Sequence, residues 1–198
     1  MRNLILATFC LATCFTAQPQ TPTDVVQAAL ERTISQVRYD PAYIRLDYPG
    51  GDVPADMGVC SDVVIRTFRN GLNFDFQKAV HEDMKSDFQS YPKIWGLSRP
   101  DKNIDHRRVP NLETYLTRMG ASVPITADAD DYLPGDIVSW RLFRGGTPHI
   151  GIVTDGKSAT GIPLIVHNIG AGPREENILF KYDIHGHFRF LPEANMAD

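Results

Sequence analysis

The sequence predicts an α+β fold in which helices come first and an antiparallel β-sheet follows. Two observations carry this expectation. Apolar residues recur at helical spacing through the first two thirds of the chain, whereas short apolar runs separated by Gly, Pro and Asp turns fill the last third. Helices that precede a strand meander, rather than alternate with single strands, segregate into a layer packed on the sheet.

Met1 to Ala17 reads as an export leader, with Arg2, the apolar run Leu4 to Ala12 and small residues near Ala17. It is too short to be a membrane span, so the mature chain is expected to be periplasmic or secreted, with no transmembrane segment. Leu11-Ala12-Thr13-Cys14 also resembles a lipoprotein cleavage box with Cys14 as the anchored residue. Thr13 is unusual before a lipidated cysteine, which favours free export. Residues 18–22 form a short linker and residues 23–198 one catalytic domain, with an insert at about 72–132. The roughly 180 residues behind the leader bury a core without disulfides or metals. With 24 acidic against 20 basic residues the formal charge is −4, and the charge is not gathered in one block. Nucleic acid needs a basic footprint and is excluded as a partner.

Thr23 is placed to cap a helix whose apolar positions Val25, Val26, Ala29, Leu30, Ile34 and Val37 run up to Asp40-Pro41. The extended segment Tyr43 to Tyr48, a Pro-Gly-Gly turn and a loop with Asp52, Pro54 and Asp56 lead to Cys60. From Ser61 to Asn70 the residues Val63, Val64 and Phe68 mark a buried helix face, with Gly71 as the stop. Phe74 to about Phe88 carries Val80, Met84 and Phe88 at intervals of four, and Pro110 opens a further helix ending at Gly120. Strand-like runs follow at Asp136–Leu142, His149–Thr154, Leu164–His167, Ile178–Tyr182 and Phe188–Leu191.

The chemistry centres on Cys60. Cys10 and Cys14 belong to the leader, so the mature chain keeps one thiol with no intrachain partner. A lone thiol in an exported protein is a candidate nucleophile. In the first turn of a helix it meets the positive end of the helix dipole and unpaired backbone N–H donors, which favour the thiolate. His149 starts the strand His149-Ile150-Gly151-Ile152-Val153, and alternation puts His149, Gly151 and Val153 on one face, Gly151 leaving room beside the imidazole. His167 ends the next apolar strand and is placed to orient His149 through its other ring nitrogen. Asn168 points to the opposite face and is the weaker third member.

These residues resemble the NlpC/p60 group of papain-like cysteine peptidases, which cut bacterial cell-wall peptides. That group places a tyrosine and a Gly-Gly pair before its nucleophile, as Tyr48 and Gly50-Gly51 stand here. Its nucleophile motif, typically Asp-Cys-Ser-Gly, corresponds to Val59-Cys60-Ser61-Asp62. Its Pro-Gly-Asp strand opener corresponds to Pro134-Gly135-Asp136, and its HVGIY-like strand to His149–Val153. Its third polar residue, often histidine, corresponds to His167. Four pieces in order make coincidence a poor explanation, although Asp62 replaces the usual glycine and the insert is long. Within the insert, Asn103-Ile104-Asp105-His106-Arg107-Arg108-Val109-Pro110-Asn111-Leu112 resembles the signature of the bacterial family catalogued as domain of unknown function 1287. The resemblance implies a papain-like architecture and a peptidoglycan-type peptide as substrate.

The expected reaction is amide hydrolysis by Cys60, with His149 as base then acid and His167 as orienting group. Backbone N–H groups at Cys60 and Ser61, with the Tyr48 hydroxyl, would hold the oxyanion, and no metal or organic cofactor is required. His106, Arg107 and Arg108 are candidates for binding a substrate carboxylate, against a bland reading as a salt-bridge cluster with Asp101 and Asp105. His185-Gly186-His187 lacks a third ligand at zinc spacing and reads as turn and strand. Two other functions share these residues: acyl transfer to an amine or alcohol by the same thiol, and a non-catalytic wall-binding or partner-binding module.

Overall fold

A computed structural model describes residues 20–143 and 146–192. The expected leader, with Cys10 and Cys14, lies outside the described residues, as does Gly145 of the turn before His149. In chain order the elements are α1 (Pro22–Thr33), β1 (Arg38–Tyr39), β2 (Met57–Gly58), α2 (Cys60–Leu72), α3 (Phe76–Ser86), α4 (Val109–Arg118), β3 (Ile137–Leu142), β4 (Thr147–Lys157), β5 (Pro163–His167), β6 (Arg174–Glu176) and β7 (Asp183–Phe188). Strands β3 to β7 form one antiparallel sheet in the order β6-β5-β4-β3-β7, and β1 and β2 form a separate parallel pair. The fold is therefore α+β with helices preceding an antiparallel sheet.

The helical layer covers one face of the sheet. Val64, Ile65, Phe68, Leu72, Val80, Leu112 and Leu116 from the helices pack with Ile137, Ile150, Ile152, Val166 and Phe188 from the strands. Burial of this size dominates folding, and the amphipathic pattern of each helix supplies it. The opposite face carries a second cluster of Val138, Trp140, Val153 and Ile165, roofed by Ile178 and Leu179.

Several element boundaries differ from the sequence expectation, each for a local reason. The cap of α1 is Thr21 rather than Thr23: its hydroxyl accepts from the Asp24 N–H while Asp24 accepts from the Thr21 N–H, and Pro22 fills the first position, where an N–H has no partner anyway. The helix ends at Thr33, before Ile34, which is solvent-exposed and takes no part in the buried face. Gly71 does not stop α2. A Cβ there would stand 2.7 Å from the Asp24 carbonyl oxygen, so the glycine lets α1 and α2 approach, and Asn73 in the left-handed region ends the helix. Residues 178–182 are not a strand. Ile178 and Leu179 instead cover the far face, where the Leu179 carbonyl accepts from Trp140 Nε1 at 2.9 Å. The strand preceding them, β6, has only the charged residues Arg174, Glu175 and Glu176, which give no apolar signal.

Candidate active site

The turn that delivers Cys60 is built by Arg66, one face further along the same helix. Its buried guanidinium binds the Asp52 carboxylate at 2.8 Å and donates to the carbonyls of Val53, Pro54 and Met57. Those bonds fold the 52–57 loop against α2, and β1 flanks it through Arg38 N–H to the Asp56 carbonyl at 2.8 Å. Cys60 is thereby set as the first residue of α2, where N–H groups are unpaired.

Asp62 and the insert lock that first turn. Asp62 accepts from the Val59 N–H at 2.6 Å, which is half of a capping box, because Val59 has no acceptor to return the bond. The same buried carboxylate takes Arg107 in two-point geometry, at 2.8 Å from Nε and 2.9 Å from Nη2. Arg107 Nη1 also donates to the Ala42 carbonyl, and the Ser61 hydroxyl donates to the Arg107 carbonyl at 2.7 Å. Asp62 thus anchors Arg107, which holds the turn Asp105–Arg107 against the start of α2.

Cys60 is 5% exposed, and its sulfur faces the backbone N–H groups of Ile150, Ser61 and Cys60 itself. Burial pushes the thiol up to about 11, against those N–H donors, which pull it down. Ile150 follows His149 on β4, so the helix start meets the sheet one residue from the candidate base. His149 Nε2 lies 3.0 Å from His167 Nδ1, and His167 Nε2 lies 3.0 Å from the Glu176 carboxylate. The two rings are perpendicular, with centroids 5.1 Å apart. Burial, reinforced by His167, pushes His149 down to about 3. Burial also lowers His167, with Glu176 opposing the shift. Burial thus favours a neutral thiol and neutral imidazoles over the ion pair that a helix dipole alone would favour.

Gly151 is needed where β4 lies against β5. A Cβ at that position would lie 3.1 Å from His167 Cβ, 2.9 Å from the Val166 carbonyl oxygen and 2.7 Å from Ile165 Cγ2. Trp140, paired with His149 across β3 and β4, stands 5.9 Å from its ring, so the imidazole is walled by aromatic and glycine surface.

Other candidates go elsewhere. The Tyr48 hydroxyl bonds Glu82 on α3, its ring packs on His81, and Gly50 and Gly51 donate to Asp75 and Gln77, so this whole turn docks on α3. The tyrosine whose ionisation is coupled electrostatically to Cys60 is Tyr39 of β1. Its hydroxyl is pushed up by burial, then by the negative charges that Cys60 and Asp62 carry when ionised. No motif pointed to Tyr39; its place follows from the two-residue pairing of β1 with β2. His106 is buried and pushed down to about 4 by burial and the neighbouring Arg107. Arg107 is taken up by Asp62, while Arg108 pairs with Asp105 at 2.9 Å and stacks 4.2 Å from the Trp95 ring. These three residues form a bracing cluster rather than an open anion site. Asn168 points to the Gly58 carbonyl, away from His149. Asp136 accepts from the Leu133 N–H, His187 and Arg189, a buried hub that ties β3 to β7. His185 faces Glu113 instead, so the two histidines of His185-Gly186-His187 serve different partners. Glu176 was not foreseen, because a glutamate in a three-residue charged strand has no distinguishing pattern. Among the described residues no cluster of side chains fits a metal ion, and no helix is long and apolar enough to cross a membrane.

Two comparisons bear on the chain as a whole. A family model described as Domain of unknown function (DUF1287) matches residues 26–190, which run from within α1 to beyond β7 and include Cys60, His149, His167 and Glu176. The chain is also 50% identical over 201 residues to Uncharacterized protein YijF of Escherichia coli (strain K12), covering 94% of this chain and 97% of that protein.

Proposed function

The chain belongs to the DUF1287 family, and from the site just described we propose that it is a papain-like thiol hydrolase of the NlpC/p60 kind, acting on an amide bond of an exported peptidoglycan-type peptide. One observation supports this reading: Cys60, the first residue of α2, lies against the Ile150 N–H of β4, next in sequence to His149, whose Nε2 is already bonded to a second histidine.

The steps follow from these atoms. His149 Nδ1, which has no hydrogen-bond partner among the described residues, takes the Cys60 proton as the sulfur attacks the amide carbonyl carbon. N–H groups at the start of α2 and the Tyr39 hydroxyl receive the negative charge on oxygen. The C–N bond breaks, His149 protonates the departing amine, and an acyl thioester remains on Cys60. Water, deprotonated by His149, then attacks the thioester carbonyl, the C–S bond breaks, His149 returns the proton to the leaving sulfur to restore the thiol, and the carboxylic acid product ionises in solvent.

The proposal is tested by incubating the protein with purified wall peptides and following products by mass spectrometry. Hydrolysis gives fragments that together equal the substrate plus one water, and both Cys60→Ala and His149→Ala lower the rate by at least about 100-fold. An added amine that captures the acyl group would identify acyl transfer instead. Cleavage that persists in Cys60→Ala would overturn the reading, and inertness towards every wall peptide would move a binding module ahead.

A further inference from the structure

We propose that Glu176 is a positioning residue that selects the tautomers of both histidines and so leaves His149 Nδ1 unprotonated; this rests on the thiol-hydrolase reading for its consequence but not for its test. The argument is one of donors and acceptors. A neutral imidazole carries one N–H and one lone pair, so a chain of two imidazoles ending on a carboxylate has only one fully satisfied arrangement. The Glu176 carboxylate, 3.0 Å from His167 Nε2, only accepts, so His167 must carry its proton there. His167 Nδ1 is then a lone pair and accepts from His149 Nε2–H across 3.0 Å. His149 Nδ1 is left as the lone pair, the form a general base needs. With the opposite tautomers, the His167 Nε2 lone pair would face a carboxylate and His149 Nδ1 would already hold a proton.

The strand register makes the contact. Arg174, Glu175 and Glu176 pair with His167, Val166 and Ile165, so Glu176 reaches His167 diagonally on the same face. Its neighbour Glu175 turns the other way and accepts from the Thr154 hydroxyl. The edge strand thus divides its two glutamates, one holding β4 and one holding the histidine chain. A purely protective role for edge charges would not require that bond.

The experiment is two-bond 1H–15N spectroscopy of ring-labelled histidine at neutral pH, in the wild type, Glu176→Ala and Glu176→Gln. Glu176 has a side chain 42% exposed, so neither change opens a core cavity. The wild type shows His149 and His167 each protonated on Nε2 alone. In Glu176→Ala the His167 acceptor is gone, and its Nδ1 signal shifts towards the protonated position, with His149 Nδ1 following. In Glu176→Gln the amide oxygen still accepts, and the wild-type pattern returns. Unchanged single tautomers in Glu176→Ala would overturn the proposal, as would an alanine-like mixture in Glu176→Gln. The readout needs no substrate, so failure of the hydrolase reading would appear in the product assay and not here.

Discussion

Cys60 sits between opposed influences, and their balance decides its reactivity. Three backbone N–H groups favour the thiolate, while near-complete burial favours the thiol and wins, leaving it up at about 11. His149, pushed down to about 3, does not hold a proton at neutral pH. Iodoacetamide should therefore label resting Cys60 slowly at pH 7, with the rate rising about tenfold per pH unit towards pH 10 as the thiolate fraction grows. A fast plateau between pH 6 and 8 would instead reveal a resting ion pair. The two tyrosines give a second residue-level test. Tyr39→Phe removes the hydroxyl proposed to receive the oxyanion charge and should cost about 100-fold in kcat on a cleaved peptide, the usual cost of one oxyanion donor. Tyr48→Phe loses only the bond to Glu82 and should leave kcat unchanged. Cys60, His149 and His167 were legible in the sequence as candidates because each sits at a helix or strand end with a local pattern. Tyr39 and Glu176 were not, because their roles arise only when separate strands meet.

At the scale of elements, the segment before α4 is a brace for α2. The turn Asp105–Arg107 holds the first turn of α2 through Arg107–Asp62 and Ser61. Both charges of that pair are buried, so removing either one strands the other. Arg107→Ala and Asp62→Ala should each destabilise the protein by about 3–5 kcal/mol, and the double variant by clearly less than their sum. Urea unfolding of the three variants measures this, and strict additivity would show that the pair is not coupled. Helix α2 itself was readable from its periodic apolar face and Cys60 start. Its true end was not, because the reason for Gly71 is the carbonyl of Asp24 on another helix. The strand β6 escaped notice for the related reason that pairing, not composition, makes it a strand.

At the scale of the whole molecule, the helix layer and the antiparallel sheet behind it were visible in the succession of periodicities, whereas the return of β7 to pair with β3 was not. What hydrophobic pattern could not carry is how neutral, buried imidazoles are distributed through the interior. His106 and His149 are both held below the ordinary histidine value, to about 4 and about 3. A depressed folded value means that their contribution to stability is complete above pH 6.5 and is lost as pH falls through those values. Between pH 7 and pH 4.5, His106 alone should remove about 2–3 kcal/mol, with His149 adding a loss of the same sign. Urea unfolding at the two pH values should show a smaller acid loss in His106→Asn, and an identical loss would contradict the assignment. The central claim, that Cys60 carries an acyl group during amide cleavage, is tested most directly by intact mass and peptide mapping of protein quenched during turnover of wall peptides. The account predicts an acyl adduct on Cys60 that is absent in Cys60→Ala and in His149→Ala. Peptide cleavage with no adduct on Cys60, or an adduct undiminished in His149→Ala, would contradict it.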